Sequence, residues 1–181
     1  MLFMELVDLL ADKGKLRPYP KGRFVFRQGE KADKLFLIRQ GLVKAYYETH
    51  DGKEFIKSFI PEGGLIASLH VIVADQPSTF NVLALEDSTI LEVTKADLDS
   101  LQTQHPPLTQ VLYSFLLGLA MKKEKREYEF LCLSADERYQ RFCDAEPGLV
   151  ARLSQMDIAR YLGITPVALS RIRRRRLQAP A

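Results

Sequence analysis

No apolar run in the 181 residues approaches the ~18 that a membrane span needs. Cysteine is scarce. Cys132 and Cys143 are the only two, and their spacing fits no common metal motif. Two ordinary thiols suit a reducing compartment, which places the chain in the cytoplasm. Histidine is almost as scarce: His50, His70 and His105 lie scattered and offer no metal site and no haem ligand pair. No Ser/His/Asp set or phosphate-binding loop is visible, and Gly63-Gly64 reads as a turn, so nothing points to an enzyme. The first ten residues lack a basic start and a small-residue cleavage site. With Glu5 and Asp8 among them, they read as a short amphipathic helix and not as a secretion signal.

What is present suits a packed protein: 46% of residues are hydrophobic and 27% charged. The net charge of +3 is small but uneven. Residues 1–120 hold 13 Lys and Arg against 15 Asp and Glu, whereas residues 121–181 hold 13 against 8. The basic excess ends in Arg171 and Arg173 to Arg176, so the C-terminal part is the one suited to a polyanion.

From Lys21 to Thr94, short runs rich in Val, Ile, Phe and Tyr alternate with Gly, Asp and Pro. Strands are expected at 23–26, 34–39, 42–47, 54–59, 79–85 and 88–93, forming a small antiparallel barrel or sandwich. Asp51-Gly52 is a hairpin signal, and Gly41 between two apolar runs calls for a positive φ. From Lys95 onward the pattern is helical. Pro106-Pro107 ends one short helix and starts a long one over 108–131, about 36 Å at 1.5 Å per residue. Leu108, Val111, Leu112, Phe115, Leu116 and Leu119 form one stripe along its first half. The stripe can pack on the chain's own barrel or against a second copy. The length favours the second, because a small barrel does not cover such a rod, and the six residues are the candidate dimer interface. Ser134 to Glu137 forms a capping box opening the next helix, and Pro147-Gly148 breaks it.

Residues 154–176 are the most informative. Ser154 to Asp157 caps a helix whose Ile158, Tyr161 and Leu162 share one face, and Ala159 leaves room for a neighbour. Gly163 allows a sharp turn, and Thr165-Pro166 supplies an N-cap and a first-turn proline. A second helix follows with Leu169 and Ile172 inward. Helix, short turn, helix is the build of a helix-turn-helix, although a plain helical hairpin with a basic end has the same outline. Val167, Arg171 and Arg174 fall opposite the inward pair, Ser170 and Arg175 flank them, and Arg173 and Arg176 lie nearer the buried side. The candidate DNA-contacting set is Thr165, Val167, Ala168, Ser170, Arg171, Arg174 and Arg175. Arginine can pair with guanine O6 and N7 or neutralise phosphate.

The string from Leu153-Ser154-Gln155-Met156 through Gly163 to Leu169-Ser170-Arg171-Ile172 resembles the helix-turn-helix of the Crp/Fnr family of bacterial transcription regulators. Gly29-Glu30 through Lys34-Leu35-Phe36-Leu37-Ile38 to Gln40-Gly41 is similar to that family's second-to-third strand region. The two matches stand in the family's order, and together they cover nearly the whole chain. The resemblance implies an α+β protein: an antiparallel β-roll of the cyclic-nucleotide-binding type (jelly-roll-like) over 1–105, a dimerisation helix over 106–131, and an all-α helix-turn-helix domain over 132–181. It implies double-stranded DNA and a second copy of the chain as partners, RNA polymerase as a further candidate, and no membrane.

The chain departs from the family at its effector site. Nucleotide-binding members carry Gly-Glu-Leu, then Arg-Ser or Arg-Thr and Ala. Here the runs are Ala67-Ser68-Leu69 and Pro77-Ser78-Thr79-Phe80. Ser68 replaces the ribose-binding Glu and Ser78 the phosphate-binding Arg; Thr79 keeps its type. The candidate pocket is Ile66, Ala67, Ser68, Leu69, Ser78, Thr79 and Phe80. Charge-assisted hydrogen bonds contribute roughly 1.5–3 kcal/mol each, so no useful binding of cyclic AMP is expected. The pocket holds another ligand or is filled by side chains such as Phe80. With no cysteine before Cys132, iron–sulfur sensing is not expected either. Pro166 and Val167 replace the Arg or Glu often found early in the recognition helix, so the site read should differ from the best-known family site. Nine residues follow Ile172, with no strand pair among them. A competing reading is therefore a ligand-sensing or protein-interaction module whose helix-turn-helix no longer binds DNA.

Overall fold

The computed structural model describes residues 2–178, with the side chains of 7–176. Helix α1 (Leu2–Lys13) leads into strands β1 (Lys15–Tyr19), β2 (Phe24–Phe26), β3 (Lys34–Gln40), β4 (Val43–Glu48), β5 (Glu54–Ile60) and β6 (Leu65–Ile66). A short helix α2 (Leu69–Ala74) precedes β7 (Asn81–Ala84) and β8 (Ser88–Thr94). Helices α3 (Lys95–Gln104), α4 (Pro107–Cys132), α5 (Ala135–Ala145), α6 (Pro147–Arg152), α7 (Gln155–Leu162) and α8 (Pro166–Gln178) complete the chain. Residues 179–181 of the expected C-terminal unit lie outside the described residues.

The strands make two four-stranded antiparallel sheets, ordered β1-β8-β3-β6 and β2-β7-β4-β5. This is the α+β roll with helices that the sequence pattern predicts. Strand β3 shows why its apolar run is continuous. Phe36 and Ile38 point between the sheets, while Leu35 and Leu37 point outward under α1, α3 and α4. Both faces are covered, so alternation disappears. The outward face of the second sheet is covered as well. Leu42 shares a cluster with Tyr139, Phe142, Ile158, Leu162 and Leu169, and Phe59 and Leu85 pack against that cluster. The C-terminal helices therefore rest directly on the roll.

Gly41, expected to need a positive φ, has φ 94°. A Cβ there would also collide with the Ser88 hydroxyl and with backbone. Gly41→Ala should therefore cost more than the ~1–3 kcal/mol of a strained backbone angle alone, read as a lowered urea midpoint with unchanged slope. An unaltered midpoint would show that the turn relaxes freely.

Candidate DNA interface and effector region

The helix-turn-helix forms as the caps dictate. The Ser154 hydroxyl accepts from the Asp157 amide at the start of α7. Gly163 ends that helix at φ 69°, and the Thr165 hydroxyl accepts from the Ala168 amide to open α8. Ile158, Ala159, Leu162, Leu169 and Ile172 are buried together. On the far side of α8, Val167 is 62% exposed. Thr165, Ser170, Arg171, Arg174 and Arg175 are exposed too, and Ala168 is half-buried. Arg171, Arg174 and Arg175 make no ion pair with any other described residue. Arg176, expected near the buried side, extends to Asp136 with Nε–Oδ1 at 2.7 Å. Five of the candidate residues thus form an open basic and hydroxylic edge, with Val167 as its apolar element.

The seven candidate effector residues are divided between the core of the roll, the cluster under its outer helices and the surface. Ile66 and Phe80 belong to the core between the sheets, whereas Ala67 packs against the cluster beneath α1, α3 and α4. Ser78 is buried, and its hydroxyl donates to the Phe80 carbonyl at 2.9 Å. Ser68 is fully buried, with no hydrogen-bond partner for its hydroxyl. Leu69 and Thr79 are exposed. The Phe80 ring stacks edge-on against Phe26 at 5.3 Å, and Phe26 lies 5.5 Å from Phe36. The three rings thus pack together within the otherwise aliphatic core between the sheets.

The apolar stripe of α4 divides. Leu108 is buried in the cluster with Leu35, Leu91 and Leu101, and Val111, Leu112 and Phe115 pack against the same cluster. These four face the chain's own roll. Leu119 is half-buried, and Leu116 remains 44% exposed. A different face is bare: Tyr113, Leu117, Met121, Tyr128 and Leu131 are between 47% and 77% exposed. Tyr113, Leu117, Ala120, Glu124, Tyr128 and Leu131 recur at steps of four, three, four, four and three. That is the spacing of a seam between two helices.

Residues 16–105 match the family model described as the cyclic nucleotide-binding domain. The fumarate and nitrate reduction regulatory protein of Vibrio cholerae is 29% identical over 184 residues, covering 93% of this chain and 70% of that protein. The transcriptional activator protein Anr of Pseudomonas protegens is 28% identical, covering 93% and 72%. Among solved structures, FixK2 from Bradyrhizobium japonicum superposes with a TM-score of 0.79 at 19% identity, covering 90% of this chain and 83% of that one. The Thermus thermophilus catabolite activator protein gives 0.61 at 22%, covering 96% and 83%. The chain thus contains a cyclic nucleotide-binding-type domain, and beyond it is similar to regulators of the Crp/Fnr family over nearly its whole length. Both sequence relatives carry the names of regulators, one of them a transcriptional activator. Among the described residues no helix is long and apolar enough to cross a membrane.

The helix-turn-helix is tied to the β-roll by charges that sequence reasoning missed. Lys44 on β4, its side chain 7% exposed, reaches Glu54 and Asp157 at 3.0 Å each. Arg160 of α7 holds the same Glu54 carboxylate. The Arg126 guanidinium donates to the carbonyls of Ile56 (3.0 Å) and Tyr161 (2.8 Å), joining α4, β5 and α7. Arg152 of α6 pairs bidentately with Glu62 and also binds Glu86. Glu62 in turn accepts from the Gly41 amide. These partners lie far apart in sequence, and no local spacing announces them.

The Arg152 hydrogen bonds hold Glu62 down at about 2, and Glu86 is lowered by the same guanidinium. A lowered carboxylate stabilises the contact above its ordinary value near 4.5, and the contribution fades as pH falls toward 2. Amide exchange in α6 should therefore be independent of this pair from pH 8 to 5 and accelerate below about 4.5. Arg152→Gln should abolish the acid-dependent part. Because the side chains are partly exposed, the loss at neutral pH should stay under about 1 kcal/mol. An identical acid response in the variant would remove Arg152 from the account.

Proposed function

We propose that this regulator binds a near-palindromic double-stranded DNA site as a homodimer, in the cytoplasm and without control by cyclic AMP. The observation that carries the reading is α8: Leu169 and Ile172 are buried while Val167, Ser170, Arg171 and Arg174 stand outward on a helix free at its surface. A helix so presented fits the major groove, with phosphate contacts setting its position and base-edge contacts its specificity. Two copies joined along the bare face of α4 would present two such helices, matched to half-sites about one helical turn, ~34 Å, apart. With Ser68 and Ser78 in place of the family's Glu and Arg, the ribose of a cyclic nucleotide lacks its carboxylate acceptor and the phosphate its guanidinium, and Phe80 packs into the core between the sheets.

Selection of bound fragments from a random DNA pool should yield a palindrome. On that site, Arg171→Ala should weaken binding roughly 10- to 100-fold and relax preference at one base position. Arg174→Ala and Arg175→Ala should weaken all sequences alike, each reducing the salt slope by about one. Recovery of no enriched sequence, with retention insensitive to salt and to Arg171→Ala, would favour a helix-turn-helix that no longer binds DNA.

A further inference from the structure

The outward edge of α8 carries one residue that no phosphate contact accounts for. Val167 is 62% exposed and belongs to none of the chain's core clusters. Among the described residues of α5 to α8, Val167 and Met156 are the only large apolar side chains left exposed. The neighbours of Val167 on its edge are the Ser170 hydroxyl and the guanidiniums of Arg171, Arg174 and Arg175. Spaced four and three apart, Val167, Arg171 and Arg174 fall on one line along the helix, with Val167 nearest its start.

Val167 is held more firmly than the arginines around it. It lies in the first turn of α8, directly after Pro166, whose ring fixes its own φ. The Thr165 hydroxyl accepts from the Ala168 amide at 3.1 Å, and the Thr165 carbonyl accepts from the Leu169 amide at 3.0 Å. Leu169, two residues on, is fully buried. A valine in a helix has one strongly preferred rotamer, so its methyl groups project in a fixed direction without the ordering cost that an arginine meets. In a helix-turn-helix the N-terminal residues of the second helix meet the base edges. An apolar group placed there has one methyl partner in the major groove, the 5-methyl of thymine. Against the amino group of cytosine or adenine, valine displaces water and returns no hydrogen bond.

We propose that Val167 reads a thymine through its 5-methyl group, one or two base pairs from the guanine met by Arg171. The spacing follows from one helical turn, about 5.4 Å, between the two side chains, set against about 3.4 Å between base pairs. The inference rests on DNA binding by α8 and adds the identity of the base opposite the apolar position. Selection at that position is by shape and hydration, since the valine gains a buried methyl contact from thymine and leaves the cytosine amino group unsatisfied.

Deoxyuridine differs from thymidine only by the missing methyl, and it tests the contact on the palindrome selected from a random pool with the full chain. Each thymine is replaced in turn, symmetrically in both half-sites. Uracil at one position near the guanine where Arg171→Ala relaxes preference should weaken binding about fourfold per half-site and roughly fifteenfold on the palindrome, the worth of one buried methyl in each half. Val167→Ser should weaken the unmodified site by a similar factor, and uracil should then cost the variant no more than about twofold further. Val167 makes no core contact, so the variant keeps the fold and its urea midpoint. Thymine methyls that act through the stiffness of the duplex would instead lower both proteins alike. At the same position 5-methylcytosine should bind better than cytosine with valine present, and equally with serine. An enriched site with no thymine beside that guanine, no uracil-sensitive position, or an equal uracil loss in Val167→Ser would overturn the assignment and leave DNA binding standing. Recovery of no enriched site would overturn both.

Discussion

Leu117→Glu should convert the protein to a monomer at micromolar concentration and weaken its hold on a palindromic site by about 100-fold or more, since two linked modules gain 10²–10⁴ in avidity over one. Leu117 is 47% exposed in the single chain and sits in the middle of the bare face of α4. It belongs to none of the chain's own core clusters. The substitution should therefore leave the fold of each subunit intact while placing a buried carboxylate at the seam, facing the second copy. Sedimentation equilibrium reads the assembly, and titration of labelled DNA reads the affinity. Leu108→Ala makes the opposing control. That residue is 2% exposed within the roll's outer cluster, so the cavity should cost about 2–5 kcal/mol of stability and leave the dimer in place. If Leu117→Glu stays dimeric and Leu108→Ala dissociates, the stripe first read from periodicity is the seam and the bare face is not.

That contrast marks how far the sequence could be read. Period and spacing report that a helix face is buried, but not what buries it. Leu108, Val111, Leu112 and Phe115 make the cleaner stripe because they meet the chain's own roll. The bare face is diluted by Ala120 and Glu124, and its signal is correspondingly weak. The helix-turn-helix was legible almost to the residue, since Ser154, Gly163 and Thr165 act on their immediate neighbours. Strand β1 was not: its residues are mostly exposed, it includes Pro18, and it is an edge strand held by β8. Strand β6 has two residues, and the apolar run at α2 is too short for its period to be told. The filling of the effector region was only half visible. Ser68 and Ser78 announce the missing charges, but the mutual packing of Phe26, Phe36 and Phe80 joins three distant strand regions.

The charged ties between roll and helix-turn-helix were invisible for the same reason, and the strongest of them lends itself to a decisive measurement. Lys44→Met should destabilise the protein by about 3 kcal/mol, at the low end for a buried pair stripped of one partner. Lys44 is nearly enclosed beneath α7, and its ammonium is shared between Glu54 and Asp157. Met fills similar volume, so the change removes charge more than packing. Afterwards Glu54 keeps Arg160 and Asp157 keeps the Ser154 hydroxyl, but the two carboxylates lose the cation that separated them. Because the carboxylates retain some exposure, water recovers part of the cost. Urea denaturation gives the magnitude, and faster amide exchange confined to α7 and the β4–β5 hairpin locates it. Adding Asp157→Asn to Lys44→Met should restore at least half of the loss, because the repulsion goes with the charge while the helix-capping geometry stays. If the double variant is no more stable than Lys44→Met alone, the damage lies in packing, and the lysine serves as a spacer between sheet and helix.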